Sequence, residues 1–329
     1  MHSTIETDEL VVELPQQHQY CIEIRRGPLA DESNQRISLK DLGMQHLSDD
    51  EVLLAADSIN TLPSFNALQI LTPFPDDERI GFDKASHTYT FNGICARDSV
   101  TGLIEKYKNP FDKVMAVSLM RNGTAWEYKK HKYMCPDGTI MSDEAIWELW
   151  ERNRVIASLR GTLTHWLVEA LLNGACIESH VMKELEIFME FYTITFRSWN
   201  LTPVRTELKV YSTMLNIAGQ IDLLAKNPDT NLYVIIDWKR SKELKHGSLS
   251  SPMKYPLVDL PDCNYTTYKL QLQMYRHIVE TEYFIPVAAM YIVMLHPEYE
   301  GNRVIHVDRM SDDLHPLLRW ELQNGSCAR

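Results

Sequence analysis

The sequence predicts an α/β fold, a central mixed β-sheet flanked by helices, behind an acidic N-terminal extension. Three observations lead there. Residues Tyr233–Lys239 read YVIIDWK and residues 217–225 read IAGQIDLLA, two apolar runs of strand length. Residues 159–172 are apolar nearly all round, which marks a buried helix. Helices precede the antiparallel set of strands, and a further helix and strand follow it, so the sheet is mixed.

The extension is read from charge. The chain has 329 residues, 44% of them hydrophobic, enough for a substantial core. Its formal net charge of −12 is unevenly spread: residues 1–100 hold 17 acids and 7 bases, the remainder 28 and 26. Residues 1–80 are therefore expected to be an acidic extension, partly ordered at most and suited to a protein partner, with one domain over 81–329. Within 1–80, Val11, Val12, Tyr20 and Ile22 suggest a short strand pair. Ser48-Asp49-Asp50-Glu51 is a capping box that opens a short helix. A near-neutral domain can still carry a basic groove, so the global charge does not exclude a polyanionic substrate.

From about residue 80 the elements follow in order. His87 to Ile94 alternates around an Asn92-Gly93 turn, a hairpin signal. Ser99-Val100-Thr101 starts a helix; helices are expected over 116–132, 142–173 and 184–199. Gly174 ends the second of these. Strands at 204–211, 217–225 and 233–239 come next. A polar loop over 243–266 contains Pro252, Pro256 and Pro261, and a helix at 268–280 and strands at 287–295 and 304–307 complete the set. The six cysteines are scattered without a CxxC, so neither a zinc site nor a disulfide framework is signalled. No apolar run is long enough to span a bilayer. The acidic start lacks a secretory pattern, and its acids argue against a mitochondrial transit peptide. The expectation is a soluble intracellular protein of nucleus or cytoplasm with no membrane partner.

Chemistry gathers on the two central strands. Asp237 and Lys239 share one strand face with Ile235 and Tyr233, while Val234, Ile236 and Trp238 face the other way. A turn at Asn227-Pro228-Asp229-Thr230-Asn231 would pair the strands and bring Asp222 beside Asp237. Two carboxylates and a lysine at one sheet edge suit a divalent metal and a phosphodiester under attack. Singly, each residue is ordinary: acids cap neighbouring strands, and a lysine after a strand is usually solvated. His165 lies in the buried helix with Glu169 one turn on, and a lone buried histidine is more often a hydrogen-bonded core residue than a ligand. Gly161, four residues before it, suggests close approach of another backbone segment. Gln271 and Tyr275 share a helical face, where polar residues often mark no more than a helix edge.

Taken in order, these residues resemble the PD-(D/E)XK nuclease superfamily, in its RecB-like and phage lambda exonuclease-like branch. The matching motifs are GxxxH (Gly161, His165), GxxD (Gly219, Asp222), DxK (Asp237, Lys239) and QxxxY (Gln271, Tyr275), over about 161–280. No proline precedes Asp222, a departure that this branch commonly shows. The resemblance implies a restriction-endonuclease-like core. It implies Mg²⁺ or Mn²⁺ held by His165, Asp222, Asp237 and the Trp238 carbonyl. Lys239 would act on the attacking water or the transition-state charge; independently of the resemblance, burial beside a metal is expected to lower its pKa. Gln271 and Tyr275 would have positioning roles, and Glu207 and Glu169 would lie near the site. Some relatives carry an iron–sulfur cluster with cysteines grouped after the QxxxY helix; only Cys327 follows it here, so no cluster is expected.

The implied activity is metal-dependent hydrolysis of DNA phosphodiester bonds, by an exonuclease of replication, recombination or repair. The motifs do not separate DNA from RNA. The same site would serve a structure-specific or single-strand endonuclease, and the same frame with a lost site would serve as a DNA-binding scaffold. Lys242, Lys245 and Lys254, in or beside the 243–266 loop, and Arg205 are the candidate substrate contacts.

Overall fold

The computed structural model describes residues 18–22, 35–44, 47–84, 86–179, 182–247 and 251–325. Val11 and Val12 of the expected N-terminal strand pair lie outside them. Strand β1 (His18–Cys21) runs antiparallel to β7 (Cys176–Ser179), and β2 (Arg36–Ser38) runs parallel to it. Helix α1 (Asp49–Leu54) has the expected capping box: Ser48 Oγ accepts from Glu51 N, and Glu51 Oε2 accepts from Ser48 N. Helices α2 (Ala56–Asn60) and α3 (Ala67–Leu71) follow. A small antiparallel sheet then forms from β3 (Ile80–Asp83), β4 (Thr88–Phe91) and β5 (Ile94–Cys95), with Asn92 and Gly93 both at positive φ in the β4–β5 turn.

The short β6 (Asp98–Ser99) leads into α4 (Val100–Lys106), where Ser99 Oγ caps Gly102 N. The single helix expected over 116–132 is instead α5 (Lys113–Asn122) and α6 (Trp126–Lys129), interrupted at Gly123, and a 3₁₀ turn over Lys130–Tyr133 follows. Glycine's low helix propensity accounts for the break. Helix α7 (Asp143–Leu172), capped by Ser142, is the long buried helix, and Gly174 at φ +87° follows it as expected. The next helix is α8 (Lys183–Glu190), continued by a π-helical turn at Phe191–Phe196.

The main sheet consists of β8 (Thr202–Ser212), β9 (Ile217–Lys226), β10 (Tyr233–Lys239), β11 (Val287–Met294) and β12 (Arg303–His306), with β6 as an added short member. It is mixed: β8–β9, β9–β10 and β11–β12 are antiparallel, whereas β10–β11 and β6–β9 are parallel. Helix α9 (Asn264–Glu282) makes the crossover from β10 to β11, and α10 (Ser311–Asn324) closes the described chain. Helix α9 begins four residues before the expected start, since Cys263 in extended conformation already precedes helical backbone.

Helices cover both faces of the sheet, so the α/β class with a helix-flanked mixed sheet is observed. On one side Leu223, Ala225, Val234, Ile236 and Trp238 share a core with α7 and α8. On the other, Ile217, Leu224, Ile235 and Ile292 share a core with α4, α9 and α10.

Three expectations change. The anticipated boundary at residue 80 does not coincide with a break in packing: Tyr20, Ile37, Val52, Ile59 and Leu62 belong to the α7 core. The acids of α1 are engaged as well, with Asp49 paired to Arg160 and Asp50 to Arg152 of α7. Second, Cys21 and Cys176 form a disulfide across the β1–β7 pair. They are 155 residues apart, so only the strand register brings them together. Third, no backbone approaches Gly161; it faces open space beside the site described below. Among the described residues no helix is long and apolar enough to cross a membrane.

Candidate active site

Strand β9 offers two edges, and β8 pairs along the whole of one. The other edge is shared. Strand β10 takes its C-terminal part, up to Ile236↔Leu223, and β6 takes Ile217 and Ala218. Between these two partners the backbone of Gly219 to Asp222 has no ladder, and the functional side chains converge there. Continuing the β9–β10 register by one step sets Asp237 opposite Asp222, the pairing expected from the Asn227–Asn231 turn. The ladder gives way to a side chain: Trp238 N donates to Asp222 Oδ2 at 2.8 Å.

Helix α7 supplies His165, whose Nδ1 lies 3.5 Å from Asp222 Oδ2. Glu207 comes from β8, where the pairs Thr206↔Leu223 and Leu208↔Ile221 set it across from Asp222. One ligand atom from each of His165, Glu207 and Asp222 lies within 4.8 Å of the others. Glu207 stands at φ +47°, a left-handed conformation that costs a non-glycine residue of order 1 kcal/mol or more. Gln220 Nε2 holds its carboxylate.

Asp237 is 1% exposed. Lys239 Nζ lies 2.8 Å from its Oδ2, yet neither carboxylate oxygen receives a properly angled hydrogen bond. Lys239 also donates to Gln271 Oε1 at 3.1 Å and sits over the Tyr268 ring, 4.8 Å from its centroid. Gln271 Nε2 in turn donates to Tyr275 Oη at 3.2 Å. Gly219 makes room for this chain: a Cβ there would lie 2.5 Å from Tyr275 Cε1. The glycine of the GxxD motif is thus set by α9 packing.

Charge is unevenly distributed in the cluster. Burial works against a charged His165, but Asp222 and then Glu207 outweigh it and lift the imidazole to about 9. Burial also opposes Asp222, whose carboxyl nonetheless stays below its usual range because His165, Lys239 and Trp238 N favour the anion. Burial raises Asp237 to about 6 despite Lys239, and burial with the charge of Asp222 raises Glu207 well above the carboxylate range. The Lys239 ammonium is raised rather than lowered. Burial opposes its charge, but Asp237 and Asp222 exceed that penalty, which corrects the expected direction for the metal-free protein. Burial keeps the Tyr275 phenol neutral.

A cavity of about 400 Å³ opens beside this cluster. His165, Glu169, Glu207, Gln220 and Tyr275 line it from the core side, and Ile59, Leu62, Lys84 and His87 line it from the N-terminal half. Glu169 accepts from Phe65 N at 3.1 Å, which ties the segment after α2 to α7, and burial raises this carboxyl to about 7.

The structure therefore brings His165, Asp222, Asp237, Trp238, Lys239, Gln271, Tyr275 and Glu207 together. The tightest potential ligand trio contains Glu207 where the sequence reading placed Asp237. The donor set fits a hard divalent cation: carboxylate oxygens with one imidazole, and a buried Asp237 Oδ1 that no donor satisfies.

The candidate substrate contacts divide. Arg205 is 2% exposed, forks onto both oxygens of Asp77 at 2.7 Å and donates to the Thr72 carbonyl. It is a core anchor and presents no donor fork to the cavity, on a strand made irregular by the register shift before it and by Glu207 at positive φ. Lys254 Nζ reaches the Lys106 carbonyl, Lys242 pairs with Glu298, and Lys245 is exposed at the start of the 243–266 loop. Sequence reading missed Gln220, Tyr268 and the wall at 59–64. Gln220 sits inside GxxD and Tyr268 lies one turn before Gln271; the wall carries no motif.

No family model and no curated protein matches the chain. Among solved structures, one described as the crystal structure of SSO0001 aligns at 15% identity over 55% of this chain and 67% of that one. Its TM-score of 0.26 is too low to carry an argument.

Proposed function

We propose that the chain is a metal-dependent nuclease that hydrolyses DNA phosphodiester bonds from strand ends, on a restriction-endonuclease-like core. The observation that supports it best is the His165–Glu207–Asp222 cluster next to a separately held ammonium, Lys239. Mg²⁺ or Mn²⁺ held by His165, Asp222, Asp237, Glu207 and the Trp238 carbonyl would supply Lewis acidity toward the phosphodiester and the attacking water.

The chain's own residues do the rest. Lys239, held beside Asp237 and by Gln271, is placed to act on the attacking water or on the negative charge that builds on the phosphate. Gln271 fixes the direction of Lys239, and Tyr275 fixes Gln271. Asp222 sets the backbone of Trp238 through its hydrogen bond and orients His165 by charge. A DNA-binding scaffold without chemistry would have no use for this arrangement of buried charge.

The test uses end-labelled linear DNA and closed circular DNA, with Mg²⁺ or with EDTA. Linear substrate is degraded with Mg²⁺, circular substrate survives, and EDTA abolishes the reaction. Full activity in EDTA overturns the metal site; cleavage of circles overturns the action from ends.

A further inference from the structure

Residues 106–133 are basic in an acidic chain: six lysines and one arginine stand against Asp112 and Glu127. They form a lobe of α5, α6 and the 3₁₀ turn, packed on the first turns of α7. Trp147 Nε1 donates to the Lys113 carbonyl, Trp150 Nε1 donates to Tyr133 Oη, and Arg121 pairs with Asp143 at 2.7 Å. Its outer side bears rings and free cations. Tyr128 is 82% exposed and Phe111 75%, while Lys129 and Lys132 are exposed and have no ion-pair partner among the described residues.

The lobe is tied to the loop that follows the catalytic strand β10. Its root is pinned to the loop between β10 and α9: Asn109 N and Nδ2 donate to Asp262 Oδ2, and Lys254 N donates to the Tyr107 carbonyl. At a distance, the Glu298 carboxyl is lowered first by its Lys242 hydrogen bond and also by the charge of Lys132. Lys242 lies three residues beyond Lys239, so the field of Lys132 extends to the segment that leaves the catalytic strand.

Two ordinary explanations fit less well. Protein-binding faces are depleted in lysine, whereas this one is rich in it. A merely solvated face would not show a tyrosine and a phenylalanine so fully. Exposed rings interleaved with unpaired ammonium groups match a strand whose bases are free to stack and whose phosphates need neutralising. A duplex hides its base faces and could use only the charges.

We propose that the 106–133 lobe binds single-stranded nucleic acid and passes it to the candidate active site, the second step resting on the nuclease reading above. Binding is measured with the full chain in EDTA, by fluorescence anisotropy of a labelled twenty-nucleotide oligothymidylate and of a blunt hairpin duplex. The single strand binds more tightly than the duplex. Tyr128→Ala weakens it roughly ten-fold, the scale of one lost base stack. Lys129→Ala with Lys132→Ala lowers the salt slope by about 1.4, for two phosphates on a single strand. Circular dichroism confirms that the variants fold, which full exposure of these side chains leads one to expect. Equal affinity for the duplex, or an unchanged oligothymidylate affinity in Tyr128→Ala, overturns the proposal. Strand binding with these responses but no cleavage in Mg²⁺ would refute the nuclease reading alone; cleavage by variants that bind like the parent refutes the lobe alone.

Discussion

Replacing Lys239 by methionine removes an ammonium and keeps most of its aliphatic stem, so it separates charge from packing. The partner left behind is Asp237, whose side chain is 2% exposed and which lies 2.8 Å from Lys239 Nζ. Its carboxyl already sits at about 6 against an ordinary 3.8. At about 1.4 kcal/mol per unit, burial together with the charge of Asp222 already costs the anion roughly 3 kcal/mol with its counter-charge present. Removing one partner of a buried pair typically costs about 3–5 kcal/mol. Lys239 is 16% exposed, which places the expected loss near the lower end, about 3 kcal/mol at pH 8 in EDTA. At pH 5 the loss shrinks, because Asp237 can then take a proton.

Asp237→Asn should behave in the opposite way. It removes one of the crowded acids, so the metal-free protein keeps its stability at pH 8 or gains some. Catalysis distinguishes the two again: Asp237→Asn loses metal affinity and turnover together, while Lys239→Met keeps metal affinity and loses roughly 10²-fold or more in single-turnover rate. Urea denaturation at both pH values, calorimetric Mg²⁺ titration and single-turnover cleavage of end-labelled DNA measure all three. A Lys239→Met protein that cuts at near-parental rate, or that matches the parent's stability at pH 8, refutes the role given to this ammonium.

Four further outcomes are expected. The folded-state values of Asp237 (about 6) and Glu169 (about 7) lie above those of unfolded carboxyls, so their stabilisation is full below about pH 4 and is lost as pH rises through 6 to 7. The melting temperature in EDTA should therefore fall across that window, less steeply in Glu169→Gln; a rise would contradict the burial argument. Gly219→Ala drives a methyl to 2.5 Å from Tyr275 and 3.1 Å from Val100, costing about 1–3 kcal/mol and disturbing the Gln271–Lys239 chain, as paired melting and cleavage assays would show. Asp77→Ala strands the buried Arg205 and should cost about 3–5 kcal/mol in denaturation, with DNA affinity of the folded protein unchanged; a selective loss of affinity would return Arg205 to the substrate. Deleting residues 1–80 uncovers the α7 core that Val52 and Ile59 fill, and a stable, active 81–329 fragment by thermal melt and cleavage assay would show that this packing is dispensable.

What was legible in the sequence depended on whether local pattern and tertiary environment agree. On β10 they agree: Val234, Ile236 and Trp238 pack toward α7 while Asp237 and Lys239 face α9, as alternation requires. The four spaced motifs likewise marked residues that meet in space. Alternation failed on β8, where the register shifts between Pro203 and Arg205 and Glu207 adopts positive φ. Arg205 consequently goes to Asp77 and not to the cavity. The N-terminal half was misjudged through its charge. Acids that read as solvated are paired with arginines of α7 more than 100 residues away, a distance over which no local pattern acts. The Cys21–Cys176 pairing escaped for the same reason.

These failures cluster around one structural cause. Strand β9 carries Ile217, Ile221 and Leu224 toward the α9 core but Leu223 and Ala225 toward the α7 core, so its facing changes parity next to Asp222. A regular strand could not do this, and the neighbouring left-handed Glu207 shows that β8 bends with it. The irregularity lies where β10 has left the edge of β9 and β6 has not yet joined it. Backbone groups freed by that gap need partners, and one of them, Trp238 N, is met by the Asp222 side chain. The same gap lets His165 approach from α7 and Lys239 from the α9 side onto a single pair of carboxylates. Regularising β8 by Glu207→Gly would relieve the φ strain without restoring the carboxylate. Stability should then rise or hold while metal affinity falls. If calorimetry showed metal affinity unchanged in that variant, Glu207 would be a strained bystander and the ligand set would reduce to His165, Asp222 and Asp237.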